Sequence, residues 1–271
     1  MSTATDTGVE RIAAAFAGAA GRAALMPYLM GGFPDLEACV AIGEACADAG
    51  ADLVELGVPF SDPLADGPVI HAAGTRALQN GATLRGVIAA ATRIADRLPV
   101  VLMCYANLIY ARGAERFAAE LADAGVSGLI VPDLPLEEGA VVRDACDAAG
   151  LALVPLIAPT TPDDRLAEIA RGARGFLYTV SLTGTTGERA GVQDSLAATV
   201  TRAKRVSPVP VAVGFGISTP EQAAAAAATG ADGVIVGSRL VRAAAEANDA
   251  GEPPAPAVRE LVATLADALR R

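Results

Sequence analysis

The chain has 271 residues, 52% of them hydrophobic and 19% charged, with a mean hydropathy of +0.41. This is too apolar for a disordered chain, and at this length a single domain can bury roughly three quarters of the surface its unfolded chain exposes. The net charge of -10 disfavours nucleic acid and anionic membranes as partners but leaves small anions open, because backbone N–H groups bind them whatever the net charge.

Much of the apolar content is dispersed alanine. Runs such as 100–106 fall well short of the ~18 consecutive apolar residues of a membrane span. The first residues, MSTATD, are polar and include an acid, so no secretory signal is read and a cytoplasmic location is expected. Cys39, Cys46, Cys104 and Cys146 show no metal or redox spacing and are expected to be buried free thiols. Cys39 and Cys46 lie seven apart, two turns of one helix, too far for a disulfide. With His71 the single histidine, a histidine-rich metal site or a Ser-His-Asp hydrolase has little to build on.

In chain order, a helix is predicted at 9–19, followed by a strand at 24–30 and a helix at 35–49. A strand at 52–56 leads through a long loop to a helix at 84–97. Then strand and helix alternate: 100–104 and 114–124, 128–131 and 137–148, 152–157 and 162–171, 175–179 and 194–206, 210–214 and 219–229. A strand at 233–236 and a helix at 257–270 close the chain. Eight strands at roughly 34 residues per unit predict a single (β/α)8 TIM barrel over 1–271 with an extra N-terminal helix. An internal echo supports it: DAGADLVEL at 48–56, DAGVSGLIV at 123–131 and ATGADGVIV at 228–236 each end a helix at glycine and enter a buried strand. A doubly wound open sheet is the alternative, but no G-x-G-x-x-G follows the first strand.

Active sites of such barrels lie at the C-terminal strand ends. Glu55 sits in an otherwise apolar strand, where burial would raise its pKa; the alternatives are a buried ion pair or a solvent-facing acid. The loop after it carries Asp62 and Asp66, punctuated by Pro59, Pro63, Gly67 and Pro68. Glycines recur after the sixth, seventh and eighth strands, in SLTGTTG at 181–187, GFGIS at 214–218 and GSR at 237–239. Three such loops side by side predict a phosphate site built from backbone N–H groups. Asp133 and Asn107 are read as loop caps, and His71, on a short helix, as structural.

The segment ELGVPFSDPLADGP at 55–68 closely resembles the tryptophan synthase alpha chain family. YAN at 105–107, PDLP at 132–135, Thr186-Gly187, GFGIS and Gly237-Ser238 follow in the family's order over nearly the whole chain. The resemblance implies retro-aldol cleavage of indole-3-glycerol phosphate to indole and glyceraldehyde 3-phosphate, without metal or organic cofactor. It implies Glu55 as general acid/base and Asp66 as the acid that stabilises positive charge on the indole nitrogen. Gly187, Gly216, Gly237 and Ser238 match the phosphate site. Tyr28, Met103, Ile130, Ile157, Tyr178 and Phe215 match the indole pocket, and Thr186 matches a loop threonine that bonds Asp66 on closure. The implied partner is a tryptophan synthase beta chain, carrying pyridoxal phosphate, in an α2β2 heterotetramer. A stand-alone lyase, another sugar-phosphate barrel enzyme and a non-catalytic scaffold or activator are the alternatives; the motif from Glu55 to Pro68 disfavours the second, and the presence of both Glu55 and Asp66 the third.

Overall fold

A computed structural model describes residues 6–180, 189–214 and 216–270, with side chains left undescribed for 189–194. The chain opens with helix α1 (Gly8–Gly18), strand β1 (Ala24–Met30) and α2 (Leu36–Asp48). After β2 (Val54–Gly57) come α3 (Pro68–Gln79) and α4 (Leu84–Ala95), and after β3 (Val100–Met103) come α5 (Ala106–Arg112) and α6 (Ala114–Asp123). Next are β4 (Gly128–Ile130), α7 (Ala140–Ala148), β5 (Ala152–Val154), β6 (Leu156–Ile157) and α8 (Asp163–Arg171). The final third runs β7 (Leu177–Val180), α9 (Arg189–Val206), β8 (Val211–Gly214), α10 (Pro220–Ala227), β9 (Gly233–Val236), α11 (Ser238–Asp249) and α12 (Pro254–Leu269).

The strands are all parallel and are ordered β5-β4-β3-β2-β1-β9-β8-β7-β6. The two ends of that order, β5 and β6, are consecutive in sequence, so the sheet closes on itself as a TIM barrel with α1 added at its N-terminal end. The strand expected at 152–157 is split because Pro155 has no N–H to donate, although its carbonyl still accepts from Tyr178 N at 3.0 Å. Gly50, Gly125 and Gly230, the glycines of the internal echo, all adopt positive φ, between 73° and 95°.

Alternation along the strands makes two cores. Leu25, Leu29, Val54, Leu56, Val100, Leu102, Leu129, Val234 and Val236 face outward under the helices. Ala24, Met26, Leu53, Val101, Ile130, Val154, Phe176, Tyr178, Ala212 and Ile235 fill the barrel, and Ile12 and Phe16 of α1 join this inner cluster. Phe16 packs against Phe176 with ring centroids 5.8 Å apart. Thr7 starts α1 with a capping box to Glu10, and the Arg11 guanidinium donates to Gly125 O at 2.6 Å and to Ala95 O. One cation therefore holds carbonyls at the C-terminal ends of both α6 and α4.

The helices α5 and α11 were not foreseen, and the short helix expected around His71 is the twelve-residue α3. The four cysteines are free and buried, with Cys39 and Cys46 both on α2. Burial pushes their thiols up, to about 11 for Cys39 and about 12 for Cys46. No helix among the described residues is long and apolar enough to cross a membrane.

Candidate active site

The backbone of β2 turns Glu55 into the barrel, in register with Tyr28 on β1 and Val101 on β3. The carboxyl group is 0% exposed, and among the described residues neither oxygen has a hydrogen-bond partner. Desolvation alone raises its pKa from 4.5 to about 8. The structure thus excludes the buried ion pair and the solvent-facing acid left open by the sequence. Glu55 is an isolated acid that stays protonated at neutral pH.

Above it a cavity of about 430 Å³ opens at the C-terminal strand ends, lined by Tyr28, Asp66, Met103, Leu156, Tyr178, Gly214, Gly216, Ile217, Ile235, Gly237 and Ser238 among others. Tyr28 and Tyr178 lie close to Glu55, and burial above all drives both phenols well above their ordinary range, with Asp66 adding to the effect at Tyr28. Two glycines make room for these rings. A Cβ at Gly57 would overlap the Tyr28 hydroxyl, and one at Gly214 would lie 2.7 Å from that of Tyr178.

Asp66 reaches the cavity from the loop after β2, directly ahead of the Gly67 that caps α3. Burial raises its pKa, opposed by a hydrogen bond from Tyr105 Oη at 3.4 Å and by nearby His71. Two carboxyl groups of different environment thus meet the same tyrosine: Asp66, half-buried, lines the cavity, and Glu55, fully desolvated, lies in the barrel in register with the Tyr28 that lines it too. That is the arrangement that separates acid and base roles.

On the far side of β1 from β2, Gly237 and Ser238 begin α11, where no side chain caps the first amides. Gly216 adopts φ 61°, a conformation that favours glycine. Open N–H groups at a twelve-residue helix start, beside a glycine turn, suit an oxyanion.

The remaining candidates divide. Tyr28, Met103 and Tyr178 line the cavity, whereas Ile130 is fully buried in the barrel's inner cluster and does not line it. Ile157 is misplaced by one residue: it faces outward against Leu166, Leu177, Ala203 and Val211, and Leu156 lines the cavity instead. The period of two along Val154, Pro155 and Leu156 carries that information. Thr186, Gly187 and Phe215 lie outside the described residues. Asp133 caps a loop as expected, accepting from Ala106 N at 2.9 Å. Tyr105, Ile217 and Ile235 were missed, the last despite sharing the inward parity of Gly233 and Gly237.

A larger groove of about 660 Å³ lies outside the barrel between α4 and α6, lined by Arg85, Arg112 and Arg116. Glu120 pairs with Arg112 at 2.9 Å and Arg116 at 3.2 Å, and the groove holds neither Glu55 nor Asp66. Among the described residues no cluster of three or more His, Cys, Asp or Glu is arranged to hold a metal ion.

Comparison with known proteins agrees with this geometry. The family model for the tryptophan synthase alpha chain matches residues 15–270. The tryptophan synthase alpha chain of Prochlorococcus marinus strain MIT 9313 is 51% identical over 231 residues, covering 84% of each chain. That of Phenylobacterium zucineum is 48% identical over 265 residues, covering 96% of this chain and 95% of the relative. Among solved structures, a chain of Mycobacterium tuberculosis tryptophan synthase superposes with a TM-score of 0.88 at 39% identity, covering 96% of this chain and 98% of that one. The Legionella pneumophila alpha chain gives 0.87 at 35% identity, covering 98% of each. The chain belongs to the tryptophan synthase alpha chain family, the lyases that cleave indole-3-glycerol phosphate in tryptophan biosynthesis.

Proposed function

We propose that Glu55 and Asp66 divide the retro-aldol chemistry between them, with the unpartnered, fully buried carboxyl of Glu55 as the observation that carries the assignment. Cleavage of the bond between indole C3 and the glycerol chain requires a proton on C3 and then loss of a proton from the adjacent hydroxyl. A carboxyl group with pKa near 8 holds the first proton at neutral pH and takes the second once it is spent. Asp66, half-buried and held towards its charged form by Tyr105 and His71, lowers the energy of the positive charge that forms on the ring nitrogen. These steps are proton transfers and need no organic cofactor; pyridoxal phosphate belongs to the beta partner.

Tyr28, Met103, Leu156 and Tyr178 hold the indole ring, with Phe215 completing the pocket and Ile130 beneath it. Gly187, Gly216, Gly237 and Ser238 bind the phosphate through backbone N–H groups. Thr186 bonds Asp66 when the loops close and so excludes water from the reacting bond. Residues 1–271 act as one barrel domain in the cytoplasm, a reducing compartment that suits four buried free thiols. The beta chain docks on the C-terminal rim, where Leu64 is 85% and Tyr110 50% exposed, giving an α2β2 assembly.

Indole release from indole-3-glycerol phosphate, with and without a beta chain, tests the reading. Slow release by the chain alone and faster release in the complex are expected. No indole under either condition would overturn it.

A further inference from the structure

The loop that carries Asp66 is tied to the barrel by an aromatic residue that the chemistry above does not use. Tyr105, 5% exposed, stands at the N-cap of α5, and its ring packs on Phe60 with centroids 5.0 Å apart. Its hydroxyl accepts from Ala65 N–H at 3.0 Å and donates to Asp66 Oδ1 at 3.4 Å. The start of α5 is fixed from its other side, where Ala106 N–H donates to Asp133 on the turn after β4. The loops after β2, β3 and β4 are therefore joined in series, and the series ends on the carboxylate.

The loop's ends are anchored by the backbone, Val58 N–H on Met103 O at 2.8 Å and His71 N–H on Gly67 O at 2.9 Å, but its middle is held by little else. Leu64 is largely exposed, and the side-chain hydrogen bond between Ser61 and Asp62 is internal to the loop. Among the described residues, the side-chain hydrogen bonds reaching 58–67 from the rest of the barrel are both made by Tyr105.

We infer that Tyr105 is a positioning residue for the lyase reaction: its hydroxyl fixes the Ala65–Asp66 turn so that the carboxylate is aimed across the cavity before substrate arrives. This rests on the role given to Asp66 above. Preorganisation matters there because a carboxylate stabilises a cationic intermediate only if it need not be reoriented during the reaction. The phenol also favours the ionised acid. Burial pushes Asp66 towards the neutral form, while Tyr105 and His71 on α3 push it back. Tyr28 on β1 is the other titratable group close to Asp66.

Tyr105→Phe keeps the ring on Phe60 and removes only the hydroxyl. In the full chain, kcat for indole-3-glycerol phosphate is expected to fall about tenfold, with KM changing less than about threefold, as for a reacting group displaced by a fraction of an ångström. The acid limb of the kcat profile should move to higher pH, because the lost donor favoured the charged carboxylate. The thermal midpoint, measured in parallel, should stay close to the parent's. A parent-like kcat with an unmoved acid limb, beside an inactive Asp66→Asn variant, overturns the inference and leaves the role of Asp66 standing. A fall in kcat that tracks a lowered midpoint, again with an unmoved acid limb, makes Tyr105 merely structural and overturns it equally. Near-normal turnover by Asp66→Asn removes the reading beneath it.

Discussion

Within β2 the chain holds a carboxyl group that no donor among the described residues touches, and the cost of this arrangement depends on pH. In the folded chain Glu55 keeps its proton up to about pH 8, whereas the unfolded chain releases it near 4.5. Between those values the unfolded state binds fewer protons, so stability falls as pH rises, by up to about 1.4 kcal/mol per pH unit. Below the window both states are protonated and the penalty vanishes. Glu55→Gln cannot ionise, so its stability relative to the parent should rise steadily from pH 5 to pH 8. Denaturant midpoints at several pH values measure this, and a constant difference would show that Glu55 ionises normally. The sequence made Glu55 legible as a lone acid in an apolar strand. Its isolation was not legible, because that depends on Tyr28 and Tyr178 lying over it in spaces left by Gly57 and Gly214. The displacement of Ile157 by Leu156 has a related cause: matching a motif fixes a segment to within a residue, while the pleat decides which residue faces inward.

Among the elements, α1 contributes most beyond the ring of strands and helices. Ile12 is fully buried in the inner core, its side chain near Gly128 and Gly175, close enough that a Cβ at either glycine would lie within 3.3 Å of it. Ile12→Ala should cost about 2–5 kcal/mol through lost burial and a cavity the strands cannot collapse to fill. Calorimetry should show a clear drop in thermal midpoint, and one unchanged within a degree would mean that α1 does not help close the barrel. The alternation of apolar runs and alanine-rich stretches made most elements legible, including α1, whose Thr7–Glu10 capping box the structure adds. It failed at α5, a seven-residue helix held partly by Asp133 from a different loop. It also failed at α11, which follows β9 with no linker other than Gly237. Helix starts that coincide with functional loops carry too few turn signals to be separated from them.

For the whole molecule, alternation of strands and helices, the three echoed glycine junctions and the clustering of acids and glycines after particular strands were enough to specify the barrel and the end that carries the site. The registers that close the barrel were not readable, because they depend on pairing between segments far apart in sequence, β1 with β9 above all. The same closure brings Asp66 after β2 and the helix start after β9 to one cavity, where the proposed function gives the first to the ring and the second to the phosphate. The central claim is that a desolvated Glu55 carries the proton for carbon–carbon cleavage while the helix start after β9 only binds. Indole release by Glu55→Gln, measured together with equilibrium binding of glyceraldehyde 3-phosphate, tests it most directly. The account predicts that release is abolished and binding retained, because the amide carries no transferable proton and the glycine turns are untouched. Release at near the parent's rate with binding intact would contradict it.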